Sequence, residues 1–260
     1  RLALCNRLIN FVSGTAERTH LGKHTLIINP KSVLLEITPP HYVQQGMPRP
    51  ETPLTESSLF TGAPREPQLV HELQEEMRSA DEVDILVSFI KWAGLRLLMP
   101  AFADLRLRNV SVRVITTSYM GASDAPAVEW LARQPNVKVR VSYDTKRTRL
   151  HAKAYYFKRN TGYSTAYIGS SNMSQAAITS GLEWNLKVTT QDMPHILDKF
   201  SAEFDTYWNS QEFVPFDAEN PQIFRDAIQH ARNPLNPLAT AFFDLRPHPF
   251  QERILDALES

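Results

Sequence analysis

Between residues 67 and 212, short runs of branched apolar residues alternate with segments of helical spacing, and that alternation constrains the fold more than any other feature. Val83 to Phe89 is a short apolar run, which reads as a strand buried on both faces. Val110 to Thr116 alternates as a strand, and so does Val137 to Tyr143, with Val137, Val139 and Val141 turned inward and Lys138 and Arg140 outward. Leu150–Phe157, Ser164–Ile168 and Trp184–Val188 give three more strands. Pro67 to Ala80 sets Leu69, Val70, Leu73 and Met77 at helical spacing, with Pro67 suited to a first turn. Ala93 to Leu105 is helical in pattern, with Pro100 a point of kink or break. Ser123 or Asp124 caps a helix running to about Arg133. Pro194 to Trp208 is amphipathic through Ile196, Leu197, Phe200, Phe204 and Trp208. The expected fold is α/β, a mixed, mostly parallel β-sheet flanked by helices.

Three stretches follow. Residues 1–66 form an N-terminal segment with short strands at Thr25–Ile28 and Val33–Ile37, then a proline-rich linker over 38–66. Residues 67–212 are the α/β domain. Residues 213–260 read as a linker with one short helix near Gln222 to Ala231, and Phe250 to Leu258 opens another helix.

No apolar run approaches the roughly 18 to 20 residues of a membrane span. The one cysteine, Cys5, excludes an internal disulfide and a cysteine zinc cluster. The chain does not open on a charged-then-apolar leader, and a cytoplasmic setting is expected. The eight histidines lack paired ligand spacing, so no metal site is expected. Net charge is zero, yet its distribution is uneven. Lys146, Arg147 and Arg149 precede His151, and Lys153, Lys158 and Arg159 follow it. Acidic residues gather at Glu72, Glu75, Glu76, Asp81, Glu82 and Asp84. The basic run is either a solvated loop or a grip for a phosphate backbone.

The text with chemical content is His151-Ala152-Lys153, then Gly169-Ser170-Ser171-Asn172, then Glu183. On a strand, His151 and Lys153 leave the same face. Their backbones stand roughly 6–7 Å apart, a span that suits one phosphate between imidazole and ammonium. Gly169 allows a close turn, and Ser170 and Asn172 present short polar groups at a strand end, where sites in α/β sheets form. These residue types suit phosphodiester transfer. An imidazole attacks phosphorus, a second protonates the leaving oxygen, and lysine and asparagine stabilise the equatorial oxygens. Glu183 is suited to orienting an imidazole.

H-x-K followed by G-S-x-N and a later Glu resembles the phospholipase D superfamily over about residues 67–210. The resemblance implies His151 as nucleophile or acid, Lys153 and Asn172 as phosphate ligands and Ser170 as a supporting hydroxyl. The fuller pattern ends in Asp, where this chain has Lys158, and Glu183 is then expected in the supporting role. Further strings resemble the N-terminal module of bacterial superfamily II helicases. They are Leu86-Val87-Ser88-Phe89-Ile90-Lys91-Trp92, Thr116-Thr117-Ser118-Tyr119-Met120-Gly121 and Gly181-Leu182-Glu183-Trp184-Asn185. Phe243 to Gln251 resembles the segment before the ATP-binding core of such helicases. No Walker-type phosphate loop is present, so ATP and magnesium are expected only for a motor beyond this sequence, and no cofactor is expected here.

The sequence therefore implies a metal-independent nuclease module of a helicase, acting on nucleic acid, with DNA favoured over RNA. Lys146, Arg147 and Arg149 would hold the backbone. The chemistry needs two histidines and the chain carries one H-x-K, so a homodimer is expected to complete the site. The competing reading is a degenerate nucleic-acid-binding domain of the helicase. A phospholipase is disfavoured because no membrane-docking face is evident.

Overall fold

The computed structural model of the chain describes residues 7, 49–143 and 150–232. The expected strands at 25–28 and 33–37, the basic residues Lys146, Arg147 and Arg149, and the tail from 233 onward lie outside the described residues.

Eight strands form one sheet: β1 (Ser58–Phe60), β2 (Glu82–Val87), β3 (Ser111–Thr117), β4 (Val137–Ser142), β5 (Lys153–Lys158), β6 (Thr165–Gly169), β7 (Asn185–Thr189) and β8 (Phe213–Pro215). Their order across the sheet is β1-β7-β6-β5-β2-β3-β4-β8. The sheet is mixed, as expected, but it is not mostly parallel. Only β2–β3 and β3–β4 pair in parallel. The other five pairings are antiparallel. For β5–β6 the length of the connection decides the direction. The six residues between β5 and β6 are too few for the crossover of a dozen or more that a parallel pair requires.

Helices cover both faces. They are α1 (Leu69–Ser79), α2 (Trp92–Leu107), α3 (Ala125–Ala132), α4 (Gln175–Thr179), α5 (Pro194–Asn209) and α6 (Gln222–Arg232). The main core joins Leu73, Leu95, Phe102, Val128, Phe224 and Ile228 to the inward faces of the strands. On the opposite face α5 lies over two smaller clusters, through Phe204 on Leu86 and Ile115, and through Leu197 on Ala166 and Val188. The result is three layers, helices over sheet over helix. Pro100 does not end α2, which runs on to Leu107. Asp124 caps α2 rather than its own helix, since its carboxylate accepts the Trp92 amide at 3.0 Å and α3 has no side-chain cap.

Two expected linkers contain sheet. Ser58–Phe60 pairs with β7, and Phe213–Pro215 pairs with β4. Residues 48 onward form one compact unit, within which α6 packs against the 3₁₀ turn Tyr119–Gly121. The acidic gathering divides: Asp81 and Glu82 are exposed, whereas other members turn inward. Glu72 and Glu76 are fully buried beneath β6 and β7. Glu76 pairs with Arg159 and lies 3.2 Å from Lys187, and Tyr167 Oη is 3.1 Å from a carboxylate oxygen of each glutamate. Burial alone raises a carboxyl, but Arg159 and Lys187 together hold Glu76 below its ordinary value. Two anions and two cations thus neutralise each other at the edge of the core.

Candidate active site

The motif residues meet at one end of the sheet. Val87, the last residue of β2, pairs with Lys153, the first of β5. Gly169, the last of β6, pairs with Asn185, the first of β7. A Cβ on Gly169 would lie 2.1 Å from the Trp184 carbonyl oxygen, so only glycine permits this approach of the two chains. Gly94 plays the same part for α2, where a Cβ would lie 2.6–2.7 Å from the backbone of Met173 and Ser174. That contact, with the Lys91 amide donating to the Met173 carbonyl at 2.8 Å, fixes the turn that carries Asn172.

His151 is exposed and precedes β5 instead of lying on it, while Lys153 is buried. The expected phosphate-sized gap between them is closed. Lys153 Nζ donates to the His151 carbonyl oxygen at 2.6 Å and lies 3.0 Å from His151 Nδ1. Because His151 has left the strand, its carbonyl and ring are both within reach of the lysine. Burial pulls the Lys153 ammonium below its ordinary value, and the negative charge of Glu183 opposes that shift. Glu183 is therefore near enough for its charge to act on Lys153. Asn172 is buried and its carboxamide oxygen accepts the Phe89 amide at 3.1 Å. That bond settles which edge of the carboxamide remains, so its Nδ2 donors are available to a phosphate oxygen.

Ser170 is committed differently. Its hydroxyl accepts the Trp184 amide at 3.1 Å and donates to the Trp184 carbonyl at 3.4 Å. Its own amide donates to the same carbonyl at 3.0 Å. The hydroxyl holds two strand ends together. Ser171, which sequence reasoning passed over, is fully buried, and its hydroxyl accepts from Asn185 Nδ2 at 2.8 Å and donates to the Ala177 carbonyl at 3.2 Å. Only its place between Ser170 and Asn172 signalled it.

Lys158, at the position of the missing motif Asp, is remote from this chemistry. It ends β5, five residues after Lys153 and on the other face of the sheet, where Nζ lies 3.0 Å from Asp84 and 3.6 Å from Glu82. Asp84 is buried and also receives Arg113 through Nε at 2.7 Å and Nη2 at 2.8 Å. The departure from the motif places a lysine in a cluster of charges on the other face of the sheet. A groove of about 640 Å³, lined by Trp92, Asp124, Arg225 and Arg232 among others, carries none of the motif residues. Among the described residues, no group of three or more His, Cys, Asp or Glu could hold a metal ion, and no helix is long and apolar enough to cross a membrane.

The arrangement is a surface imidazole, a buried ammonium and an oriented carboxamide at one end of the sheet. Residues 73–208 match the family model described as cardiolipin synthase, PLD-like domain. Among solved structures the chain is similar to NucT from Helicobacter pylori, at 24% identity and TM-score 0.48, over 62% of this chain and 99% of that one. It is similar to Nuc from Salmonella typhimurium, a phospholipase D family member, at 19% identity and TM-score 0.47, over 62% and 99%. Phosphatidylserine synthase of Haemophilus influenzae Rd KW20 gives 12% identity and TM-score 0.44, over 66% and 44%. No curated protein matches the chain. With H-x-K, G-S-x-N and Glu183 all inside a family match that spans just over half its length, the chain belongs to the phospholipase D-like family.

Proposed function

We propose that the chain is a metal-independent phosphodiesterase module that cleaves nucleic acid, DNA before RNA, through a phosphohistidine at His151. It works as a homodimer and forms part of a longer, helicase-type protein. The observation that carries this reading is the convergence of exposed His151 with Lys153 and Asn172. The helicase context is supported by the sequence strings alone.

Lys153 as an ammonium donates to His151 Nδ1, so the proton of a neutral imidazole sits on Nε2. A bound phosphodiester draws the ammonium onto an equatorial oxygen and frees Nδ1, and exchange with water then protonates Nδ1 and removes the proton from Nε2, which leaves Nε2 with its lone pair. Nε2 then attacks phosphorus. The N–P bond forms as the ester P–O bond breaks, and an imidazolium from a second copy gives its proton to the leaving oxygen. That imidazole next takes a proton from water, the water oxygen attacks phosphorus, and the N–P bond breaks to release His151. Asn172 and Lys153 balance charge on the phosphoryl oxygens throughout, without a metal.

The test is cleavage of single- and double-stranded DNA and RNA in EDTA by wild type and His151→Asn. Cleavage by wild type alone is expected. Loss in EDTA that magnesium restores, or turnover by the variant, overturns the reading. Binding without any cleavage favours the degenerate nucleic-acid-binding domain.

A further inference from the structure

Four tryptophans occur in the chain, and they are used differently. Trp130 packs edge-on to Phe102, and Trp208 stacks on Phe204 beneath Arg113 and Arg140. Trp92 is 37% exposed and lines the 640 Å³ groove. Trp184 is 62% exposed and has no ring partner among the described residues. Yet its backbone is among the most firmly held at the site. Its amide and carbonyl are both bonded to Ser170, and it sits between Glu183, which acts on Lys153, and Asn185, which is bonded to Ser171.

An exposed indole carried on so tightly held a backbone has its point of attachment fixed in advance. Leaving a tryptophan face in water sacrifices one of the larger hydrophobic gains a side chain offers. Here the sacrifice is made next to the motif, and the hydroxyl of a motif residue both accepts from and donates to that backbone. A flat aromatic face can receive a nucleobase only if the base has a free face of its own, which bases inside a duplex lack.

Resting on the nucleic-acid reading above, we infer that Trp184 is a base-stacking subsite that makes the module select single-stranded nucleic acid. Ser170 is its positioning residue, not a phosphate ligand. The neighbouring aliphatic residues Leu186, 40% exposed, and Leu59, 49% exposed and paired with it across the sheet, extend the apolar surface for the sugar and the next base.

The experiment measures fluorescence anisotropy of a labelled single-stranded 20-mer, its duplex, and the same strand with contiguous abasic sites, using the whole chain in the His151→Asn background. Trp184→Ala is expected to weaken single-strand binding by about 5- to 150-fold, with Trp184→Phe retaining most of it. The loss should vanish on the abasic strand. Ser170→Ala should weaken single-strand binding partially, without the larger loss on every strand that removal of a phosphate ligand gives. Equal binding of the 20-mer by Trp184→Ala and its parent overturns the inference. So does an equal loss on duplex and abasic strands, or a loss that accompanies a fall from dimer to monomer by light scattering. The last result would assign the face to a second copy of the chain. Trp184→Phe, which keeps the ring, guards against a folding defect: if it binds as poorly as the alanine variant while melting like the parent, stacking is refuted. Failure of wild type to cleave anything would sink the catalytic reading and leave this binding comparison intact.

Discussion

Restoring the family residue at position 158 should harm the fold and leave the chemistry alone. Lys158 Nζ sits 3.0 Å from buried Asp84 and 3.6 Å from Glu82. Lys158→Asp removes that cation and sets a third carboxylate beside the other two. Like charges about 6 Å apart at an effective dielectric of about 20 repel by about 3 kcal/mol, reduced where one carboxyl takes up a proton. Arg113 keeps its bidentate hold on Asp84, so loss of the lysine itself adds only about 1 kcal/mol. The sum, about 2–4 kcal/mol, should lower Tm by roughly 5–15 °C for a chain of this size. Lys158→Met, which adds no charge, should cost about 1 kcal/mol. Five residues of strand put position 158 roughly 16 Å from Lys153. Turnover measured well below both melting transitions should therefore stay within about twofold of wild type by the same argument. Thermal melts read the first expectation and phosphodiesterase rates the second. A variant that melts no lower, or one that cleaves several-fold faster, would refute the structural assignment of Lys158.

Other consequences follow from the same geometry. Glu183→Gln removes the charge that opposes the burial shift on Lys153, so the ammonium loses its proton at lower pH and the basic limb of the pH–rate profile should move down; an unmoved limb separates Glu183 from Lys153. Glu76 has its folded value held below 4.5, so its contribution to stability is present above that pH and lost as pH falls through the lower folded value. Glu76→Gln should cost about 3–5 kcal/mol at neutral pH, leaving Arg159 and Lys187 short of an anion, and should flatten the acid loss seen in urea melts; a steep acid loss that persists unchanged in the variant would exonerate Glu76. Neutralising Lys146, Arg147 and Arg149 together should reduce the slope of log K against log salt by about 2–3 for a DNA duplex, and an unchanged slope would return them to a solvated loop.

The central strands and long helices were legible because each is long enough to show its period. α1 and α5 carry apolar stripes, and β2 and β4 their runs of valine and isoleucine. β1 and β8 have three residues each, too few for any period, and their pairing is decided by β7 and β4. Strand direction was only partly legible: the short connection from β5 to β6 rules out a parallel pair there, but the other antiparallel pairings join strands distant in the chain or linked by a connection long enough for either direction. At the site, the spacing of His151, Lys153, Ser170, Asn172 and Glu183 was readable, and the sheet end brings them together. What each side chain touches was not. The turn of Lys153 onto His151 depends on where β5 begins, and the commitment of Ser170 to Trp184 depends on how closely Gly169 lets two chains approach. That Glu72 and Glu76 are buried ion-pair members was not legible, because their partners Arg159 and Lys187 lie more than eighty residues further along the chain.

Covalent capture tests the account most directly. Wild type and His151→Asn are mixed with a phosphorus-labelled single-stranded oligonucleotide in EDTA, quenched in alkali, where a phosphoramidate survives, and digested for peptide mapping. The account predicts label on the peptide containing His151, formed within the time of one turnover, and none in the variant. Label on another residue, or steady turnover in EDTA with no labelled protein at any quench time, would contradict it.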